Sequence, residues 1–458
     1  MRHDGAGVRG WIDRTFHVTR RGSTLARELV AGLTTFGAMA YIMIVNPAIM
    51  ALAGLDRHDM IMTTIAASVC GSLLMALMAN LPIALAPAMS SNLVFAQVVV
   101  VQMGVKPSVA FTMVLIGGLA FVALSLTRWR QRIVMGFPIP VRNGIHCAIG
   151  AFIAHIGMVS GGLAVGGAQG FSFGSLHDPA VLLGLAGLFL AATLQMLRVP
   201  AGMLLSIVAV TVAGCFVRHP GGHPVTTLPA AWLEWPHYPT NMLFPFDFHG
   251  FLSHIGIVLP VTIYFFLGDF FDATGTMMAV TRRAGLTVED GQPLLGRAAF
   301  AADGTASVIG SVLGTSTVSA YLESLVGAEA GGRTGLVGVT VALLFLLSSV
   351  LWPVITAVPA VATAPVLVLV GLGMLSDMGR SGAQSGDGDV GGVLAPLLMV
   401  LVTVMTGNFM VSLALGLLLY TVLAVAGRRW AEVTPILLAL DAVFVVYLVL
   451  ASGMGGGS

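Results

Sequence analysis

The chain has 458 residues, of which 57% are hydrophobic and only 9% charged, with a formal net charge of +1 and a mean hydropathy of +0.95. A soluble domain carries about a quarter charged residues, so the polar surface is too small for water-facing globular domains, and disordered or fibrous classes need low hydrophobicity or a repeat. The balanced charge gives no reason to expect a nucleic-acid partner.

Apolar blocks of about 20 residues match spanning helices, not the ~10-residue alternation of a β-barrel. The expected fold class is therefore an all-α polytopic protein of the lipid bilayer. Residues 1–27 carry six arginines (Arg2, Arg9, Arg14, Arg20, Arg21, Arg27), which place the N-terminus in the cytoplasm by the positive-inside rule. Trp11, Ile12 and Phe16 among them suit a short interfacial helix, with a disordered basic tail as the alternative. The first block, Leu29–Ala53, is longer than the apolar region of about 7–15 residues in a signal peptide, and it reads as an uncleaved first span.

Further blocks fall near 60–80, 83–103, 107–127, 139–160, 179–197 and 200–217. Cys70, Cys147 and Cys215 are scattered among such blocks as small buried hydrophobes, so neither a disulfide framework nor a metal site is expected. Arg128, Arg130 and Arg132 follow the fourth block and Arg282 and Arg283 the eighth, which puts both clusters on the cytoplasmic side of an alternating topology. Segment 218–250 is polar and proline-rich. Its His219, His223, His237 and His249 are irregularly spaced, which favours a solvated extracellular or periplasmic loop over a metal site.

This loop separates a first repeat, 28–217, from a second, 251–451, followed by a short tail, 452–458. In the second repeat, blocks lie near 251–279, 297–313, 315–330, 334–356, 358–376, 391–427 and 431–451. Block 391–427 is too long for one untilted helix and is interrupted at Gly407-Asn408, so it crosses either once or twice. Seven blocks in each half, an odd number, insert the second half upside down relative to the first. About 14 spans in two inverted repeats are an architecture of secondary transporters, which bind substrate near the midplane between broken helices.

Two blocks are poor continuous helices. The third holds Pro82 and Pro87 followed by Ser90-Ser91-Asn92. The tenth reads Gly314-Thr315-Ser316-Thr317-Val318-Ser319-Ala320-Tyr321-Leu322-Glu323-Ser324. They occupy the same place in their halves, and irregular backbone at this depth survives only where protein or a water-filled cavity surrounds it. The expectation is a pair of broken helices, 3 and 10, whose free termini offer N–H donors to a polar ligand.

Acids lie in the same region. Asp269 and Asp272 are three residues apart on one helix, where they share a face; Asp303 is in the ninth block, Glu323 in the tenth and Asp441 in the last. A charged acid at helix centre costs roughly 2.5–3.5 kcal/mol even on lenient scales, so such residues point to function. Close carboxylates in low dielectric do not both ionise easily, which makes proton exchange near neutral pH expected. Asp441 is the one read as structural.

These residues carry a resemblance. Arg27-Glu28-Leu29-Val30-Ala31-Gly32-Leu33-Thr34-Thr35-Phe36 with Asn46-Pro47, Phe270-Phe271-Asp272-Ala273-Thr274-Gly275-Thr276, and the tenth-block run continued by Gly331-Gly332-Arg333-Thr334-Gly335 are similar to the nucleobase–ascorbate group of nucleobase–cation symporters, closest to the AzgA-like adenine/guanine/hypoxanthine branch. The resemblance extends from about residue 25 to 450. It implies a seven-plus-seven fold with core and gate domains, and proton-coupled uptake of purine nucleobases across the cell (inner) membrane. It places substrate at Asn92, Asp272 and Glu323, to which the broken tenth helix adds Thr315, Ser316 and Thr317, and proton coupling at Asp269, Asp272, Asp303 and Glu323. One departure stands out: where the branch has a Gly-Met-Gly-Leu-Asn-Ala-Tyr-Phe type of run, this chain has Ala88-Met89-Ser90-Ser91-Asn92-Leu93-Val94-Phe95.

The partners expected are a purine base and a proton, with no cofactor, and a homodimer is one of the assemblies left open. The alternatives are transport of xanthine or uracil on the same fold, an anion carrier, a passive channel, or a membrane-embedded enzyme. Acidic rather than basic intramembrane residues argue against an anion. His146, His155 and His254 lack the spacing of a metallo-hydrolase and read as packed, so no catalytic residue is expected.

Overall fold

The computed structural model describes residues 8–127, 138–167, 170–219, 222–287, 294–376, 390–406 and 408–454. Arg2, Arg128, Arg130, Arg132, Gly407 and the tail from 455 lie outside them.

Caps and prolines set the helix starts. After α1 (Val8–Phe16), α2 (Leu25–Met39) is capped by Thr24, which accepts from the Arg27 N–H, and α3 (Ile42–Ala51) continues the same span. Asp56 caps α4 (Arg57–Leu74), accepting from the Asp59 N–H at 3.1 Å. The chain then reaches Asn80 at φ 51° and cannot resume a helix across Pro82 and Pro87. It runs as β1 (Leu85–Pro87), then α5 (Met89–Leu93), prolonged by π-type bonding to Gln102. The first half ends with α6 (Pro107–Leu126), α7 (Ile139–Ser160), a hairpin of β2 (Ala164–Gly167) and β3 (Gly170–Phe173), α8 (Pro179–Met196) and α9 (Gly202–Gly214).

The second half opens with α10 (Phe248–Ser253), α11 (Ile255–Arg283) and α12 (Arg297–Val312). Gly314, at φ 76°, turns the chain into β4 (Val318–Ala320). There follow α13 (Ser324–Glu329), α14 (Leu336–Ser348), α15 (Trp352–Thr356), α16 (Ala360–Leu375), α17 (Val390–Thr406), α18 (Phe409–Ala426) and α19 (Pro435–Met454). Among the described residues, eight helices are long and apolar enough to cross a membrane.

Packing repeats between the halves. α2 packs on α14 as α11 packs on α6, and α4 packs on α14 as α12 packs on α6. α4 and α12 pack on one another, as do α7 and α16. This exchange of partners is what an inverted repeat requires. One group, α2–α6 with α11–α15, forms a core that holds both breaks; α7–α9 with α16–α18 form the gate. In the gate, a Cβ on Gly150 would lie 2.6 Å from Met374 Cβ and one on Gly157 2.9 Å from Leu367 Cβ. Glycine lets α7 and α16 approach this closely.

Three open points of the sequence close here. Block 391–427 folds back on itself: the Thr403 and Ser412 hydroxyls are 2.8 Å apart, and Asn408 caps α18 by accepting from the Val411 N–H at 3.1 Å. α19 therefore stands as an additional helix against α11 and α18. Within the N-terminal segment, Val8–Phe16 forms a helix whose end is anchored, with Phe16 and Val18 buried against Ala76 and Leu336. Segment 218–250 is largely exposed among its described residues and is tied to the core near its end: the Phe244 N–H donates to the Val312 carbonyl and the Asp247 N–H to Thr112 Oγ1, each at 2.9 Å.

Glu28, fully buried on α2, accepts from the Arg333 N–H (3.0 Å), the Thr334 N–H (3.1 Å) and the Thr334 hydroxyl (2.8 Å). It thereby locks the start of α14 to the first span. Leaving a buried donor unpaired costs about 1–3 kcal/mol. Glu28→Ala should lower the thermal unfolding midpoint of the purified carrier by several degrees; an unchanged midpoint would show that water satisfies these donors.

Candidate functional site

The two breaks meet. β1 and β4 pair antiparallel, with Leu85 opposite Ala320, Ala86 opposite Ser319 and Pro87 opposite Val318. The pairing extends at both ends, through the Tyr321 N–H to the Ala84 carbonyl at 3.0 Å and the Ala88 N–H to the Thr317 carbonyl at 2.9 Å. A serine completes each strand. Ser72 Oγ on α4 accepts from the Leu85 N–H and donates to the Leu85 carbonyl, both at 3.0 Å. Ser307 Oγ on α12 accepts from the Val318 N–H at 3.1 Å and lies 2.9 Å from the Val318 carbonyl and 2.6 Å from Asp269 Oδ2. Backbone groups left open by the breaks are thus satisfied inside the protein, as membrane depth demands.

Beside the strand pair, between core and gate, lie two adjoining cavities of about 380 and 270 Å³, together in the size range of small-molecule sites. Ser90, His146, Asp272, Thr276, Leu322 and Met374 line both. Glu323 lines the larger, where its Oε1 accepts from the Tyr41 hydroxyl at 2.5 Å. Asp272 has no hydrogen bond to any described residue. The remaining walls are mostly aliphatic and aromatic, including Tyr264, Phe271 and Phe444.

Of the residues expected to touch substrate, Asp272 and Glu323 face this space; the others do not. Asn92 is fully buried in a chain of side chains: the Ser316 hydroxyl donates to Asn92 Oδ1, Asn92 Nδ2 to Asn46 Oδ1, and Asn46 Nδ2 to Thr64 Oγ1 at 2.7 Å. That chain ties the tenth span to the third, first and second. Thr315 and Thr317 are also buried, and their hydroxyls have no hydrogen-bond partner among the described residues. None of the four lines either of the two cavities.

The acids expected to move protons divide in the same way. Although Asp269 and Asp272 are three residues apart, Asp269 is only 3% exposed and turned to Ser307, while Asp272 opens to the cavity. Asp303 is fully buried and caps β4, accepting from the Ala320 N–H at 2.9 Å. Asp441 accepts from the Thr421 hydroxyl at 2.6 Å, a structural bond. Sequence reasoning missed Tyr41, Ser90 and Thr276 as cavity residues and took His146 as packed. The available signal was a polar face on an apolar helix: Arg142, Asn143 and His146 lie within one turn of α7.

The permease-family model Xan_ur_permease matches residues 26–410. The guanine/hypoxanthine permease PbuO of Bacillus subtilis is 34% identical over 440 residues, covering 94% of this chain and 99% of the relative. The adenine permease AdeP of Escherichia coli is 34% identical, with 96% of each chain covered. The nucleobase transporter PlAzg2 of Paenibacillus larvae is 31% identical over 75% of this chain and 67% of its own. Among solved structures, the transmembrane domain of a cyanobacterium bicarbonate transporter, BicA, superposes with a TM-score of 0.61 at 18% identity, over 85% of this chain and 96% of that one. The murine Slc26a9 anion transporter in its inward-facing state gives 0.63 at 11% identity, over 94% and 73%. At such identities the structures speak for the fold alone.

The geometry separates binding from support. Asn92→Ala strands Asn46 and Ser316, so it should reduce thermal stability and the folded fraction, while the folded carrier keeps its substrate affinity within a few-fold. A large affinity loss at unchanged stability would return Asn92 to the binding surface.

Proposed function

This chain belongs to the nucleobase–cation symporter 2 family of permeases, and on that footing we propose that it takes up purine nucleobases together with protons. The observation that carries the reading is the convergence of Asp272 from α11 and Glu323 from the start of α13 on one cavity between core and gate. A purine offers ring N–H donors that a carboxylate accepts, and flat faces that apolar and aromatic walls receive. The first N–H groups of the helix Met89–Gln102 begin at the same cavity, through Met89 and Ser90, and add donors at the positive end of a helix dipole. Tyr41 holds Glu323 in place.

A neutral base gains nothing from membrane potential, whereas one co-transported proton adds ~2.3 kcal/mol per 100 mV, roughly a 40-fold accumulation. In this reading Asp272 and Glu323 carry the exchangeable proton, and Asp269 and Asp303 keep β4 in position beside them. The six N-terminal arginines favour a cytoplasmic N-terminus, in the cell's inner membrane.

Cells without purine uptake of their own should accumulate labelled hypoxanthine or adenine when they express this chain, and a protonophore should abolish the accumulation. Accumulation that survives the protonophore would remove proton coupling. Glu323→Gln removes a charge-assisted hydrogen bond of about 1.5–3 kcal/mol, so affinity should fall about 10- to 100-fold at normal membrane level. Wild-type affinity in that variant would take Glu323 out of the site.

A further inference from the structure

The gate contributes one charged group that neither the proton nor the carboxylates account for. Arg142, on the first turn of α7, reaches across to α11, with its guanidinium carbon 5.7 Å from the centroid of the Phe271 ring. It is half-buried and lines the smaller cavity beside His146, Tyr264 and Asp272. Its guanidinium makes no hydrogen bond or ion pair with any described residue. At the cavity wall it therefore offers a fixed planar fork that carries N–H donors and no acceptor, steadied over an aromatic face.

On the gate side of this cavity Arg142 is a group that only donates, next to Asn143 and His146, which both donate and accept, and on the core side Asp272 accepts. A purine with a carbonyl at C6 matches both. Its O6 and N7 form an acceptor edge that takes an arginine fork bidentately, and its N1–H donates to a carboxylate. A 6-aminopurine places an N–H₂ donor where O6 would be, so the guanidinium meets donor against donor. We infer that Arg142 makes this carrier selective for 6-oxopurines, the hypoxanthine and guanine type, over adenine. The inference rests on the purine-uptake reading and adds to it the class of base and the residue that selects it.

The test is uptake of labelled hypoxanthine with unlabelled hypoxanthine, guanine and adenine as competitors. A bidentate pair discriminates by about 5- to 150-fold, so both oxopurines should inhibit at concentrations lower than adenine by about that factor. In Arg142→Gln, and in Arg142→Lys, which keeps the charge without the fork, the ratio should collapse towards unity at equal membrane level, with inhibition by adenine little changed. Adenine competing as well as guanine in the unmodified carrier, or a ratio untouched in both variants, overturns the selectivity while purine uptake stands. If no purine is taken up or competes, the purine reading fails and takes this inference with it.

Discussion

Two interrupted spans at membrane depth leave backbone N–H and C=O groups that lipid cannot satisfy, and the rest of this molecule is arranged around that constraint. β1 and β4 solve it for each other by pairing across the repeat boundary. Ser72 and Ser307 then take up groups on either strand in equivalent fashion. Each half is incomplete without the other, which explains why the packing of α2, α4 and α6 is mirrored by that of α11, α12 and α14. A crossing tied down in this way is a rigid floor, and rigid elements position a binding site better than loops do.

Function enters where the repeats stop being equivalent. Four residues before Ser307 stands Asp303, bonded to β4; four residues before Ser72 stands Ser68, whose hydroxyl merely returns to the Thr64 carbonyl at 2.7 Å. Asp269, Asp272 and Glu323 also belong to the second half. The acidic groups around the strand pair and the cavities therefore gather on one side of a nearly symmetric frame. The buried pair Asp269 and Asp303 supports β4, and Asp272 and Glu323 face the open space beside it. The gate, with its glycine-lined α7–α16 contact, presents His146 and Arg142 to that space from the other side. Core and gate thus each supply part of the site, a division suited to a carrier in which one group of helices moves against the other.

Much of this was legible in the sequence, and the failures have a common physical cause. Pro82, Pro87 and the Gly314–Ser319 run announce broken helices because they cannot continue one, and local chemistry suffices to see it. The same logic marked Asn92 and Thr315–Thr317, which the fold places outside the two cavities. A polar side chain at membrane depth needs a partner, but sequence cannot distinguish a ligand from another buried side chain, and Asn46 with Ser316 supplied the partner. Asp269 and Asp272 share a helix yet meet different surroundings, which depends on α12 and the gate rather than on spacing. Arg142 and Tyr41 escaped notice because only the tertiary fold brings them to α11 and to Glu323. The interruption at Gly407-Asn408 was visible in the sequence, and the fold-back follows from the Thr403–Ser412 contact and the cap that Asn408 places on α18.

The claim on which the account turns is that a purine and a proton cross together through the space faced by Asp272 and Glu323. Proteoliposomes holding the purified carrier and a trapped pH-sensitive dye, with no imposed pH gradient, test it most directly. An inward hypoxanthine gradient should acidify the lumen, and Asp272→Asn at equal reconstitution should abolish that signal. Labelled hypoxanthine entering through the unmodified carrier while lumenal pH stays constant would contradict the account.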